Sequence, residues 1–200
     1  MSVSAEQVKA LRQETGAGVL DCRRALEEAA GDLAKAKELL LARGLALAES
    51  RAERVTAEGL VEVYSHGEGR LGVMVEVNCE TDFVARSEPF RRFVHEVALQ
   101  VAAGAPRWVR PEEVPAEVLD AERVQARQQA AAEGKTEPVI ERIVEGKLEK
   151  FLDGACLTRQ EYVRDENKKV AEVLQEVVLA THENIQIRRF QRWEVGEEIG

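Results

Sequence analysis

The sequence predicts an α+β fold, with a three-helix module at its amino-terminal end, a small antiparallel sheet packed with helices, and a projecting helical hairpin. Three observations support this prediction. The first 45 residues hold three short helical patterns divided by turn residues. In residues 71–77 every second position is Leu or Val, which is typical of a strand with one buried face. From residue 87 onward the apolar residues return to helical spacing.

The amino-terminal module is predicted from helix caps and stops. Ser4 followed by Gln7 forms a capping-box pattern, and Gly16 ends the first helix. Asp32 caps the third helix, which we expect to stop near Gly44. A segment of about 45 residues can bury only a marginal core. Such a module is more typical of docking than of catalysis.

The segment after this module is predicted to be a linker. Residues 45–57 are rich in Ala, Glu and Arg and contain neither Gly nor Pro, which favours a solvated helix. We therefore assign residues 1–45 to the helical module and residues 46–57 to the linker. Residues 58–200 form an α+β core that includes a helical hairpin at about 115–153.

The sheet is predicted from a hairpin and a closing strand. Residues 60–64 and residues 71–77 flank the turn Gly67-Glu68-Gly69, which indicates two antiparallel strands. Residues 185–195 supply the closing strand. The hairpin is the clearest strand pairing in the sequence.

Four further helices are predicted around the sheet. Apolar residues at helical spacing place one at residues 87–104, and a polar helix follows at residues 115–133. Its partner covers residues 136–151, and a last helix covers residues 165–181. At 1.5 Å per residue, the middle two would form a hairpin about 24–28 Å long.

Charge and composition exclude several classes of function. Lys and Arg number 28 against 37 Asp and Glu, a formal net charge of −9, which disfavours general phosphate binding. No apolar run approaches the roughly 20 residues that span a bilayer, and residues 1–6 do not resemble a secretory leader. Three widely spaced cysteines are typical of reduced thiols in a cytosol. We expect a cytoplasmic protein that binds neither nucleic acid nor membranes.

The sequence contains no recognisable catalytic, metal-binding or phosphate-binding motif. The three histidines lie far apart in the chain, at His66, His95 and His182, and no metal-ligand or phosphate-loop motif occurs. Cys79 lies between a strand and a helix, but the neighbouring carboxylates of Glu80 and Asp82 would raise its pKa. We therefore expect no catalytic residue, no metal and no cofactor, and a thiol enzyme centred on Cys79 is the least favoured alternative.

One segment between the best strand and the following helix is unusual. Thr81 can cap a short turn, and Asp82 is favourable at the positive end of that turn. Phe83 next to it has two possible placements. It either folds back over the sheet as a core residue or projects as an aromatic anchor for a partner.

Three motifs resemble those of the translation elongation factor Ts family. They are VNCETDFVA at residues 77–85, LRQETGAGVLDCRRAL at residues 11–26, and ENIQIRRF at residues 183–190. They occur in the order expected for the family and span essentially the whole chain. Arg23, Val19 and Leu20 depart from the pattern, since the family favours Lys at the first position and often Met at the other two.

The resemblance implies a guanine-nucleotide exchange factor for elongation factor Tu, which is not an enzyme in the chemical sense. It also implies that the helical module is similar to ubiquitin-associated domains. In the family, the wedge segment, which corresponds to residues 81–84, is implicated in dislodging Mg²⁺ from the GTPase. The wedge residues are Thr81, Asp82, Phe83 and Val84. The docking residues for the GTP-binding domain would be Arg12, Val19, Leu20 and Asp21.

The resemblance also bears on assembly and on the rival function. Longer members carry two related α+β subdomains, whereas this sequence shows one hairpin and one closing strand. Two chains are therefore expected to associate as a homodimer through exposed strand edges. The alternative function is a helical adaptor similar to ubiquitin-associated domains, without exchange activity, for which the second and third motifs would have no use.

Overall fold

The computed structural model describes residues 3–198 and confirms the α+β fold. The elements are, in chain order, α1 (Ala5–Thr15), α2 (Val19–Glu28), α3 (Leu33–Arg51), β1 (Glu58–His66), β2 (Leu71–Cys79), α4 (Asp82–Ala85), α5 (Glu88–Gly104), α6 (Ala116–Ala132), α7 (Glu137–Ala155), β3 (Glu161–Tyr162), β4 (Asp165–Lys169), α8 (Val170–Thr181) and β5 (Gln186–Glu194). Within the described residues, every helix is too short or too polar to cross a bilayer.

The chain divides into two compact units. One combines the residues up to Ala102 with those from Ala171 onward, and the other is Ala103–Val170. The first unit thus contains the three amino-terminal helices together with the three-stranded sheet. The assignment of residues 1–45, 46–57 and 58–200 to separate domains remains a prediction, as does the likeness to ubiquitin-associated domains.

The amino-terminal helices begin as their caps predict. The Ser4 hydroxyl accepts the Gln7 amide at 3.2 Å while the Gln7 side chain accepts the Ser4 amide, and Asp32 accepts amides in the first turn of α3. The helices bury one apolar cluster between them. Its fully buried members are Leu11, Ala17, Cys22, Ala25, Leu26 and Ala36, and Leu40 is almost as inaccessible. Leu179 of α8 belongs to the same cluster, so α8 joins the module to the rest of this unit.

The predicted stop at Gly44 is wrong, because α3 continues to Arg51. An ideal Cβ at Gly44 would lie 3.0 Å from the Gln175 carbonyl oxygen on α8. The glycine therefore permits a close approach between two helices and does not end one. This continuation also extends α3 into the first part of the predicted linker.

The sheet has the strand order β1-β2-β5, with both pairs antiparallel. As predicted, β2 alternates, and Val73, Val75 and Val77 are buried on its inner face. The turn at residues 67–69 joins the hairpin. Gly67 and Gly69 have positive φ values of 58° and 86°, which glycine adopts at little cost. On the inner side, His95 of α5 lies 3.0 Å from the Glu62 carboxylate of β1.

The second unit contains the predicted helical hairpin. Helices α6 and α7 pack through a small apolar cluster of Ala126, Ala130, Ile140 and Val144. The prediction of one helix across residues 165–181 is wrong in its first part, because Asp165–Lys169 forms β4. That strand pairs with β3, with Glu161 opposite Lys169. The helix begins only at Val170.

Candidate functional site

The wedge segment forms a tight turn directly after β2. Thr81 has extended backbone angles, and its hydroxyl accepts the Val84 amide at 3.3 Å, so it caps α4. Val84 is buried beneath the turn, whereas Phe83 is 77% exposed. Of the two placements considered for this ring, the structure has the projecting one. A rigid turn thus presents a large apolar side chain to solvent.

Asp82 forms an ion pair with Arg86, at 2.6 Å, one helical turn later. Both side chains are largely exposed, so the pair contributes little to the stability of the fold. Asp82 is also in the first turn of α4, where a carboxylate is favoured by the helix dipole. The surface beside Phe83 therefore carries one negative and one positive group.

The base of the wedge segment is held by a carboxylate distant in sequence. Glu183 Oε2 accepts the backbone amides of Glu80 and Thr81, both at 3.0 Å. Its other oxygen accepts the Thr81 hydroxyl at 2.6 Å. Three hydrogen bonds to one carboxylate fix the backbone where β2 ends and α4 begins.

A second contact joins the same two segments in the opposite direction, with residue 184 as the donor and Glu80 as the acceptor. The Asn184 amide donates to the Glu80 carboxylate at 2.7 Å, and the Asn184 side chain donates to the carbonyl oxygens of Ala52 and Arg54. Burial by itself would raise the pKa of Glu80, but the Asn184 amide and the Arg54 guanidinium outweigh it and lower that pKa. Glu80 is therefore charged at neutral pH, and it ties the turn to the end of α3.

The predicted docking residues lie at the end of α1 and the start of α2. Arg12 is exposed in the last turn of α1. Val19 and Leu20 are 51% and 67% exposed, so two adjacent apolar side chains lie at the surface. Asp21 is partly buried, and its carboxylate lies 3.5 Å from Nε2 of His182.

The structure brings the three sequence motifs to one region of the first unit. His182 contacts Asp21 of the first motif, and the next residue, Glu183, contacts Thr81 of the second. Glu183 and Asn184 were not predicted as functional residues from the sequence. The signal that could have identified them is the third motif, because Glu183 and Asn184 are its first two residues.

The cysteines do not form a reactive site. Burial, followed by the charge of Glu183, raises the pKa of the Cys79 thiol to about 11. Burial also raises the pKa of Cys22 and that of Cys156. These thiols are protonated at neutral pH. Across residues 3–198, the His, Cys, Asp and Glu side chains form no group of three suited to holding a metal ion.

Comparisons with known proteins give one family. The model of the family described as elongation factor TS matches residues 34–197. A protein named elongation factor Ts from Caldanaerobacter subterraneus is 54% identical, covering 98% of both chains. Proteins of the same name from Coprothermobacter proteolyticus and Thermotoga neapolitana are 51% and 52% identical, with 98% and 99% of this chain covered and each relative covered in full.

Proposed function

This chain belongs to the elongation factor Ts family, and from that premise we propose that it is a guanine-nucleotide exchange factor for elongation factor Tu. It acts in the elongation phase of protein synthesis, in the cytoplasm, with no cofactor of its own. The observation that carries the proposal is the exposed ring of Phe83 on a turn that Thr81 and Glu183 hold in place.

The factor acts by differential binding and not by covalent chemistry. A protein that binds the nucleotide-free GTPase more tightly than the GDP-bound form must weaken GDP binding by the same factor. Such exchange needs no nucleophile and no general base. It requires a surface that fits one conformation of the GTPase better than the other.

The wedge segment supplies that surface. Phe83 inserts between helices of the GTPase and displaces the groups that support its Mg²⁺. Loss of the ion removes a cation that neutralises the phosphates, so GDP leaves faster. Asp82 and Thr81 fix the direction of the ring, and Val84 anchors the turn in the core of the factor. GTP then enters and displaces the factor.

The docking residues hold the GTPase during this step. Val19 and Leu20 give an exposed apolar contact, and Arg12 and Asp21 provide charges of both signs next to it. An apolar centre with polar groups at its rim is typical of a protein interface. The acidic chain, with a net charge of −9, is suited to a protein partner and not to nucleic acid or an anionic membrane.

We also propose that two copies associate as a homodimer. The outer face of the β1-β2-β5 sheet exposes Val61, Val63, Met74 and Trp193. In the register of the sheet, Val63 lies opposite Met74, and Trp193 lies opposite Gly72, so these side chains share one face. Their exposure favours pairing through this face over pairing at the strand edges.

Release of a fluorescent GDP from elongation factor Tu, followed by stopped flow with and without this protein, tests the exchange proposal. The protein should accelerate release, and the rate should saturate as its concentration rises. If release proceeds at the same rate with and without the protein, the proposal is wrong.

A further inference from the structure

Every hydrogen bond of the Glu183 carboxylate is made with residues 80 and 81, at the base of the wedge segment. Both oxygens are used, one by the amides of Glu80 and Thr81 and the other by the Thr81 hydroxyl. Among residues 3–198, no arginine, lysine or histidine forms an ion pair with Glu183. Its polar contacts are therefore two backbone amides and one hydroxyl, all at the junction between β2 and α4.

The position of Glu183 is itself fixed by the end of α8. It follows His182, which ends α8 in the left-handed conformation with φ 56° and whose amide donates to Val178 at 2.8 Å. One turn earlier, Leu179 lies in the apolar cluster of the amino-terminal helices. The position of the residue that braces the wedge segment is thus set by the packing of α8 against the amino-terminal helical module.

We infer that Glu183 is a positioning residue for nucleotide exchange, which holds residues 80 and 81 so that Phe83 is presented in its working orientation before the partner arrives. This inference rests on the proposed exchange function. Without the carboxylate, two amides and one hydroxyl lose their acceptor, and the turn can rotate about the end of β2. If the Phe83 ring must first be ordered when the partner binds, part of the binding free energy is used for that ordering. Less of it is then left to displace GDP.

A positioning role makes a prediction that a merely structural role does not. Glu183 does not belong to the docking residues, so its loss should lower the maximal rate of GDP release at saturating factor. The concentration of factor that gives half of that rate should change little. A general loss of folded protein would instead raise this concentration in proportion.

The experiment compares Glu183→Ala, Glu183→Gln and the control Glu113→Ala with the unchanged protein. Glu113 accepts the Val109 amide at 3.0 Å, so the control removes a similar carboxylate-to-amide bond in the other unit. We expect Glu183→Ala to lower the maximal rate about tenfold, because small errors in the placement of a working group are costly. Glu183→Gln keeps one acceptor oxygen and should give an intermediate rate, while Glu113→Ala should match the unchanged protein.

Amide hydrogen exchange by NMR gives a second readout that does not depend on the partner. In Glu183→Gln, the amides of Glu80 and Thr81 should exchange faster, while that of Val178 should be unchanged. This variant keeps the size of the side chain, so the readout remains usable if Glu183→Ala does not fold.

The outcomes separate the two proposals. If the unchanged protein accelerates GDP release, Phe83→Ala lowers the maximal rate, and Glu183→Ala stays within about twofold of normal, the positioning role is wrong and the exchange function stands. A proportional rise in the half-saturating concentration would also overturn the positioning role. If the unchanged protein itself fails to accelerate release, the exchange function is wrong.

Discussion

The Asp21 carboxylate lies 3.5 Å from Nε2 of His182, although Asp21 is in the first turn of the second helix and His182 follows the last helix. Through this contact, the docking residues on α2 are adjacent to the segment that braces the wedge. The two surfaces proposed to meet elongation factor Tu therefore belong to one compact unit. We expect substitutions among the docking residues to change binding, and substitutions in the wedge segment to change the exchange step.

Phe83→Ala should reduce exchange without unfolding the protein. The ring is 77% exposed, so its removal should change the free energy of unfolding by less than about 0.5 kcal/mol. The maximal rate of GDP release should fall at least about tenfold, as for a central interface residue. Stopped flow and thermal unfolding measure the two quantities. Val55→Ala, at a site that is 81% exposed, is the control, and equal effects of both variants would contradict the wedge.

Leu20→Ala should weaken docking while leaving the wedge intact. Truncation of an exposed apolar anchor at an interface costs about 1.4 kcal/mol, so the half-saturating concentration should rise about tenfold. The maximal rate should be retained, since Phe83 is unchanged. A titration of the factor against a fixed amount of GTPase measures both. Leu45→Ala on α3, which is also exposed, serves as the control. A fall in the maximal rate alone would show that Leu20 acts elsewhere than in docking.

Two helical glycines should respond oppositely to alanine. Gly146 on α7 has open space around a built Cβ, so Gly146→Ala should stabilise its unit by about 0.5–1 kcal/mol through helix propensity. At Gly44 the same Cβ meets the Gln175 carbonyl oxygen at 3.0 Å, which should cancel or reverse that gain. Denaturant unfolding followed by circular dichroism measures both. Equal stabilisation by the two substitutions would contradict the close helix crossing.

Cys79 should resist alkylation and make stability fall at high pH. Its pKa is about 11 in the folded protein against 9.0 for an ordinary thiol. A pKa raised by folding means that its stabilising contribution is complete below about pH 9 and is lost as pH rises toward 11. The free energy of unfolding of the unchanged protein should therefore fall more steeply in this range than that of Cys79→Ala.

Iodoacetamide at pH 8 should label the Cys79 thiol only after unfolding in urea, and rapid labelling of the native protein would contradict its burial.

Val63→Arg should convert the proposed dimer to a monomer. The substitution places a charge at the centre of the exposed sheet face, next to Met74 on the adjacent strand. A charge that is desolvated in an interface without a partner is strongly destabilising. Sedimentation velocity measures the change. Val55→Arg, off the sheet, should leave the oligomeric state unaltered. If Val63→Arg sediments like the unchanged protein, this face is not the dimer interface.

Local patterns in the sequence predicted most of the fold correctly. The capping box at Ser4 and Gln7, the turn at residues 67–69 and the alternation in β2 depend on neighbours a few residues apart. For that reason, a single sequence is sufficient to identify them. The cap at Thr81 was predicted by the same means, because Thr81 lies at a strand-to-helix junction.

The predictions that were wrong or incomplete share one cause, because each depends on contacts between residues distant in sequence. Gly44 carries a stop pattern, yet the helix continues because α8 passes close to it. Asp165–Lys169 is entirely polar and lacks alternation, so only its pairing with β3 makes it a strand. The role proposed for Glu183 depends on its hydrogen bond with Thr81, which lies 102 positions earlier. Whether Phe83 is buried or exposed also depends on such contacts, and composition could not decide it.

The division of the chain has a consequence for folding during synthesis. The unit Ala103–Val170 is continuous and can fold as soon as it leaves the ribosome, whereas the first unit needs the residues from Ala171 onward. Leu179 and Glu183 are among these late residues. A nascent chain therefore carries the turn at Thr81 without its Glu183 acceptor until these residues have been synthesised.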